Sequence, residues 1–150
     1  MANSYVSLVV HVVFSTEGRV PLITADHRES LYEYMGGIVR KERGSLLEIG
    51  GMPDHVHLLA RLRASLSLSE MVKQIKGGSS RWVNQSPSNV HYFGWQNGYG
   101  AFSVSESQVE VVRRYIQNQE KHHARRSFRS EMLTLLRKHR IEFEEKYVFD

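Results

Sequence analysis

From His55 onward the chain alternates. Val56, Leu58, Ala60 and Leu62 fall on one face of a strand, and His55, His57, Leu59 and Arg61 on the other. Before it, Ser7 to Phe14 is rich in β-branched residues and predicts a buried strand, broken at Glu17-Gly18. A helical period follows. Leu31, Tyr34, Met35, Ile38 and Val39 form one stripe, starting from a cap at Thr24 or Asp26 and running to about Arg40. Gly36-Gly37 lies inside that stripe, at about 1 kcal/mol per glycine. Lys41-Glu42-Arg43-Gly44 then supplies cations and a glycine stop. Ser45 to Gly50 predicts a second strand. The Gly51 to Asp54 turn joins it to the histidine strand as a hairpin, with Pro53 fixing its φ and Asp54 bonding locally.

The second half continues with a helix, a strand and further helices. Ser67 or Ser69 starts a helix through Met71, Ile75 and Trp82. Inside it, Lys76-Gly77-Gly78-Ser79-Ser80-Arg81 reads in two ways: a kinked surface helix, or a segment that admits a nucleic-acid backbone while Lys73, Lys76 and Arg81 supply charge. His91 to Tyr99 is dense in aromatics and glycine and reads as core and turn packing, with Trp95 or Tyr92 available to stack a base. Gly100 to Val104 is a short last strand. Ser105 and Gln108 form a capping box for a helix with the stripe Val109, Val112 and Ile116, which continues through Tyr115, Gln119 and His122. Another amphipathic helix carries Phe128, Met132, Leu135 and Leu136.

Strand, helix, strand, strand, helix, strand is the βαββαβ order of a ferredoxin-like α+β fold, with the C-terminal helices appended. Its antiparallel sheet carries helices on one face. Val56 and Leu58 are expected under those helices, and His55 and His57 are expected to look out across an open face. No repeat or low-complexity tract divides the chain, so residues 1–150 are expected to form a single domain.

Composition narrows the chemistry. With no cysteine among 150 residues, disulfides and thiolate metal sites are excluded. Any metal must sit on His, carboxylate, amide or water. The formal charge is +4 and the calculated pI about 9.5, which favours a polyanionic partner. The first residues lack the basic region of a signal peptide, and Leu8 to Phe14 is too short to span a bilayer. No membrane association and a cytoplasmic location are expected.

Two imidazoles at i and i+2 on a strand point the same way and offer two ligands to a divalent ion. On their own they read equally well as histidines bonded to neighbours. His11, in the first strand, reads as a satisfied core histidine that could share their sheet face. Tyr115 and Gln119, four apart on one helix, lie on one side of it, with Arg113 and Arg114 just before. A tyrosine is a possible nucleophile toward phosphorus, and a glutamine carbonyl a possible third ligand. His122 and His123, just beyond, are a rival metal pair. Arg19, Arg61, Lys73, Lys76, Arg81, Arg113 and Arg114 are the candidate phosphate contacts.

Four segments carry a resemblance: Met52 to Leu59 (MPDHVHLL), Lys76 to Trp82 (KGGSSRW), Trp95 to Val104 (WQNGYGAFSV) and Tyr115 to Glu120 (YIQNQE). In this order and at these separations they resemble the single-tyrosine HUH transposases of the insertion sequence 200-like group, over nearly the whole chain. The resemblance implies His55, His57 and Gln119 as ligands of a Mg²⁺ or Mn²⁺ ion, and Tyr115 as the nucleophile. It implies single-stranded DNA with hairpin-marked ends as substrate, cut and rejoined through a 5′-phosphotyrosine link, and a homodimer as the acting form. Three other readings stay open: a domesticated relative acting on chromosomal palindromic repeats, a metal-dependent nuclease, and a non-catalytic nucleic-acid-binding module. The last is disfavoured because His55, His57 and Arg61 stand where such a module would carry aromatics.

Overall fold

The computed structural model describes residues 3–149. Four strands, β1 (Val9–Ser15), β2 (Ser45–Met52), β3 (His55–Arg61) and β4 (Gly100–Val104), form one sheet in the order β2-β3-β1-β4. Every neighbouring pair is antiparallel. Helices α1 (Arg28–Lys41) and α2 (Leu68–Gln85) follow β1 and β3. This is the expected ferredoxin-like α+β arrangement. Among the described residues no helix is long and apolar enough to cross a membrane.

The period-two pattern sorts the sheet residues. Val12, Phe14, Val56 and Leu58 point to α1 and α2 and bury against Leu31, Met35, Val39, Met71 and Ile75, all at most 3% exposed. Each such side chain contributes about 1.5–3 kcal/mol by leaving water. The glycine pairs divide by role. A Cβ on Gly78 would meet Ile38 Cδ1 at 2.8 Å, so that glycine lets α1 and α2 approach, whereas a Cβ on Gly77 would meet nothing within 4 Å. α2 runs through the glycines without a kink. Trp95 and Phe93 are core, as their composition suggested, with Trp95 edge-on to Phe14 at 4.8 Å. Tyr92 stays 75% exposed.

The opposite sheet face is not open, contrary to the sequence expectation. It is covered by α3 (Val109–Gln117), α4 (Gln119–His123) and α5 (Phe128–Lys138). Val13 and Phe102 bury there against Phe128, Met132 and Leu136, and Val9 and Leu59 against Ile116. The apolar stripes of the tail helices need a partner surface, and this face supplies it. A short α6 (Glu145–Val148) follows.

Three helix boundaries differ from those expected. α1 begins after His27, whose ring bonds Thr24 Oγ1 at 2.8 Å, so neither Thr24 nor Asp26 is its cap. Ser105 makes no side-chain cap. A 3₁₀ turn, Glu106–Gln108, gives the Gln108 N–H to the Ser105 carbonyl at 2.9 Å, and the hydroxyl turns to Ser107. The tyrosine helix also stops at Asn118, where φ −98° and ψ 23° depart from helical values, before α4 restarts. Ser67 does cap α2, accepting from the Glu70 N–H.

Candidate active site

β3 presents His55 and His57 toward the tail helices, and both are fully buried. Each ring is held at Nδ1 from outside the site. His55 Nδ1 bonds Asp54 Oδ1 at 2.7 Å. His57 Nδ1 bonds His11 Nε2 at 2.8 Å, and these two rings stack with centroids 5.0 Å apart. His11 therefore does share their sheet face, reaching diagonally from β1, where Val13 is the register partner of His57. The tethers turn both Nε2 atoms inward. An imidazole whose remote nitrogen is fixed in this way is pre-oriented as a ligand.

The inward nitrogens meet Glu131, a residue of α5 that the sequence reading did not single out. Its carboxylate is 1% exposed. Oε1 lies 3.1 Å from His57 Nε2, 3.0 Å from His123 Nε2 and 3.4 Å from His55 Nε2. Oε2 accepts from the Tyr115 hydroxyl in a short hydrogen bond and from Gln119 Nε2 at 3.0 Å. Gln119 Oε1 in turn accepts from His55 Nε2 at 3.0 Å. His122 Nε2 lies 3.4 Å from the Tyr115 oxygen. The break at Asn118 does not separate Tyr115 from Gln119, since both reach one carboxylate. A signal for Glu131 exists in the sequence: it sits between Phe128, Met132 and Leu135, on the apolar stripe, where an uncompensated charge would be costly.

The charges settle accordingly. Burial opposes charging His55, but its bonds to Asp54, Glu131 and Gln119 prevail and raise its pKa to about 9. Burial lowers His57, and burial lowers His11 to about 3, with the close His57 ring further opposing its protonation, so both stay neutral near pH 7. Burial works to raise Glu131, yet the His55 and His57 bonds hold it far below the usual carboxylate range. Burial raises Tyr115, and the adjacent Glu131 charge raises it further. His122 is lowered, again by burial.

His55, His57, His123 and Glu131 place their ligand atoms within 4.8 Å of one another, a set that could hold a metal ion. Three nitrogens and a carboxylate oxygen, with both strand histidines tethered, suit a divalent transition ion. On its outer side Tyr115 borders a groove of about 690 Å³ lined also by Asn118, Lys121, His122, Arg125 and Arg126.

None of the seven expected phosphate contacts lines this groove. Arg61 pairs with Glu106 at 2.8 Å, and Arg113 with Glu110 at 3.0 Å. Lys76 donates to the Gln96 carbonyl at 2.7 Å, and the Arg19 guanidinium stands over the Phe149 ring. Lys73, Arg81 and Arg114 are exposed on helix surfaces. Tyr115, His55, His57 and Gln119 are brought together, while His11, His123 and Glu131 are further members.

Comparison with known proteins identifies related chains. The chain is 25% identical over 117 residues to the ISDra2 transposase TnpA of Deinococcus radiodurans, covering 75% of this chain and 84% of that one. A crystal structure of a candidate transposase from Deinococcus radiodurans R1 superposes with a TM-score of 0.60 at 26% identity, over 79% of this chain and 96% of that chain. A REP-associated tyrosine transposase bound to a REP hairpin shares the fold, with a TM-score of 0.62 at 13% identity over 82% and 73% of the two chains. The family profile described as "Transposase IS200 like" matches residues 4–119, which take in the histidine strand, Tyr115 and Gln119. The chain belongs to the IS200-like family of single-tyrosine HUH transposases.

Proposed function

We propose that the protein is a DNA strand transferase in which Tyr115 attacks a scissile phosphate of single-stranded DNA, with residues 1–150 acting as one catalytic domain. The observation that carries this reading is that the Tyr115 hydroxyl and the two strand imidazoles share one buried carboxylate, Glu131. In a chain of this family, that contact supports reading Tyr115 as a nucleophile beside a metal-binding pair.

His55, His57 and Gln119 would hold the cation, Mg²⁺ or Mn²⁺, and the nitrogen-rich set favours Mn²⁺ of the two. When bound, the ion would polarise the phosphate and offset the charge developing on it. Tyr115 Oη would bond to phosphorus as the bond to the 3′ oxygen breaks, giving a 5′-phosphotyrosine and a free 3′-hydroxyl. The phosphodiester bond energy is kept, so that hydroxyl can reverse the step on another end. The phenol must shed its proton as it attacks. Glu131, held strongly acidic, is a weak acceptor for it. His122 Nε2, neutral near pH 7 and 3.4 Å from the phenol oxygen, is the better placed base.

The groove of Lys121, Arg125 and Arg126 would guide the strand to Tyr115. A hairpin-bearing substrate is consistent with the REP hairpin bound by the structural neighbour. Tyrosine and histidines meet within one chain, so a homodimer would carry two self-sufficient sites.

The test is a denaturing gel of protein, Mn²⁺ and labelled single-stranded oligonucleotides from the flanking DNA, with wild type beside Tyr115→Phe. A protein-linked band in wild type alone is expected. Cleavage without a linked band, unchanged in the variant, would overturn the nucleophile and leave a hydrolytic nuclease.

A further inference from the structure

We propose that Glu131 is itself a ligand of the cation, and that through its second oxygen it ties Tyr115 to that ion. The inference rests on the cation site proposed above. It concerns a residue of α5, outside the matched stretch 4–119, to which the family resemblance assigns no role.

The two carboxylate oxygens are divided in function. Oε1 faces only nitrogen: His57 and His123 at 3.1 and 3.0 Å, and His55 at 3.4 Å. Three imidazole nitrogens around one oxygen exceed the roughly two lone pairs it offers as an acceptor. They are arranged as ligands around a shared centre rather than as an optimal hydrogen-bond set. With an ion there, the nitrogens would turn lone pairs to it and Oε1 would join them. Oε2 points away and carries the tyrosine hydroxyl and the Gln119 amide. A carboxylate so placed transmits position: whatever fixes Oε1 fixes Oε2, and with it the phenol. His55, His57, His123, Gln119 and Glu131 together would still leave a position in a six-coordinate shell for a phosphate oxygen, which a catalytic ion requires.

Titration calorimetry with Mn²⁺ on the full chain separates this from the underlying reading. Wild type should bind one ion, and His57→Ala should lose it. If wild type binds none, or His57→Ala binds as before, the cation site itself falls. If the site stands, Glu131→Gln should weaken Mn²⁺ at least about tenfold, the lower end of what even an outer partner of a metal ligand costs. Unchanged affinity, or tighter binding, would overturn the role of Glu131, the latter showing it to be an occluding group instead. Should Glu131→Gln fail to fold, as judged by circular dichroism, Glu131→Asp takes its place. It keeps the charge but withdraws the oxygens, and the same weakening is expected.

The tie to the tyrosine is read separately by ¹⁹F NMR of protein labelled with 3-fluorotyrosine, with the Tyr115 signal assigned from Tyr115→Phe. Diamagnetic Mg²⁺ should shift that signal in wild type and leave it unmoved in Glu131→Gln at saturating Mg²⁺. Equal shifts in both proteins would overturn the coupling.

Discussion

Gly50 holds the tyrosine helix at its working distance from the sheet, and adding one methyl group there tests the point. Gly50 pairs with His57 across β2 and β3, and α3 passes directly over it. A Cβ at Gly50 would lie 2.8 Å from the Ile116 carbonyl oxygen and 2.9 Å from Ile116 Cγ2. Ordinary contact starts near 3.4 Å, so α3 must rise by about 0.6 Å, the difference between 3.4 and 2.8. The obstructing atom is backbone, so no rotamer change relieves it. Overpacking of this kind costs about 1–3 kcal/mol, and at roughly 2–4 °C per kcal/mol the unfolding midpoint of Gly50→Ala should drop by about 2–12 °C. The functional loss should be larger in proportion. Tyr115 is the residue next to Ile116, and misplacing a reacting group by about 1 Å can cost 10²-fold in rate. A fall of about tenfold or more in the protein-linked band is expected while the fold is retained. Gly77→Ala is the control. That glycine is exposed inside α2 with nothing within 4 Å of its missing Cβ, so the same change should raise stability by about 0.4–1 kcal/mol. Thermal unfolding by circular dichroism reads both. Gly50→Ala as stable and as active as wild type would refute the claim that Gly50 sets the height of α3.

Other expectations follow from the site and its supports. In metal-free protein, the His55 pKa of about 9 against 6.5 means a contribution complete below pH 6.5 and lost as pH rises through 9; at roughly 1.4 kcal/mol per pH unit it is at most about 3 kcal/mol. Urea midpoints in chelator should fall between pH 6.5 and 9, and His55→Gln should flatten that fall; a flat wild-type profile would count against the charged His55. Replacing His11 with Phe frees His57 Nδ1 and should weaken Mn²⁺ about 10–100-fold without unfolding the chain, as measured by calorimetry. Lys76→Met strips a charged donor from the carbonyls of Gln96 and Gly98 and should cost about 1.5–3 kcal/mol, with faster amide exchange around residues 96–98.

Much of the fold is legible from alternation alone. β3 begins at His55 and β4 spans Gly100–Val104, as the pattern predicts, because period two fixes which residues share a face. The same argument correctly puts His55 and His57 side by side. What alternation does not carry is an address for a helix. The stripe Phe128, Met132, Leu136 states that α5 is buried on one side, but not which surface buries it, and so the sheet face appeared open. Glu131 stands out only as a charge on that stripe, since its partners come from β3, α3 and α4 and only the packed chain brings them together. The Asn118 break and the 3₁₀ turn after Ser105 are equally local decisions, made by backbone bonds that compete with the expected helix.

The distance along the chain between the members of the cluster has a consequence for the protein's birth. His57 and Glu131 are 74 positions apart, and Glu131 comes last. A ribosome therefore releases the histidine hairpin and the tyrosine helix before the carboxylate that gathers them, while α5 still waits to be made. Until α5 docks, the phenol has no anchor and the imidazoles no shared centre. A message cut off after residue 119 would encode the whole matched stretch yet lack the carboxylate on which the phenol and the imidazoles meet.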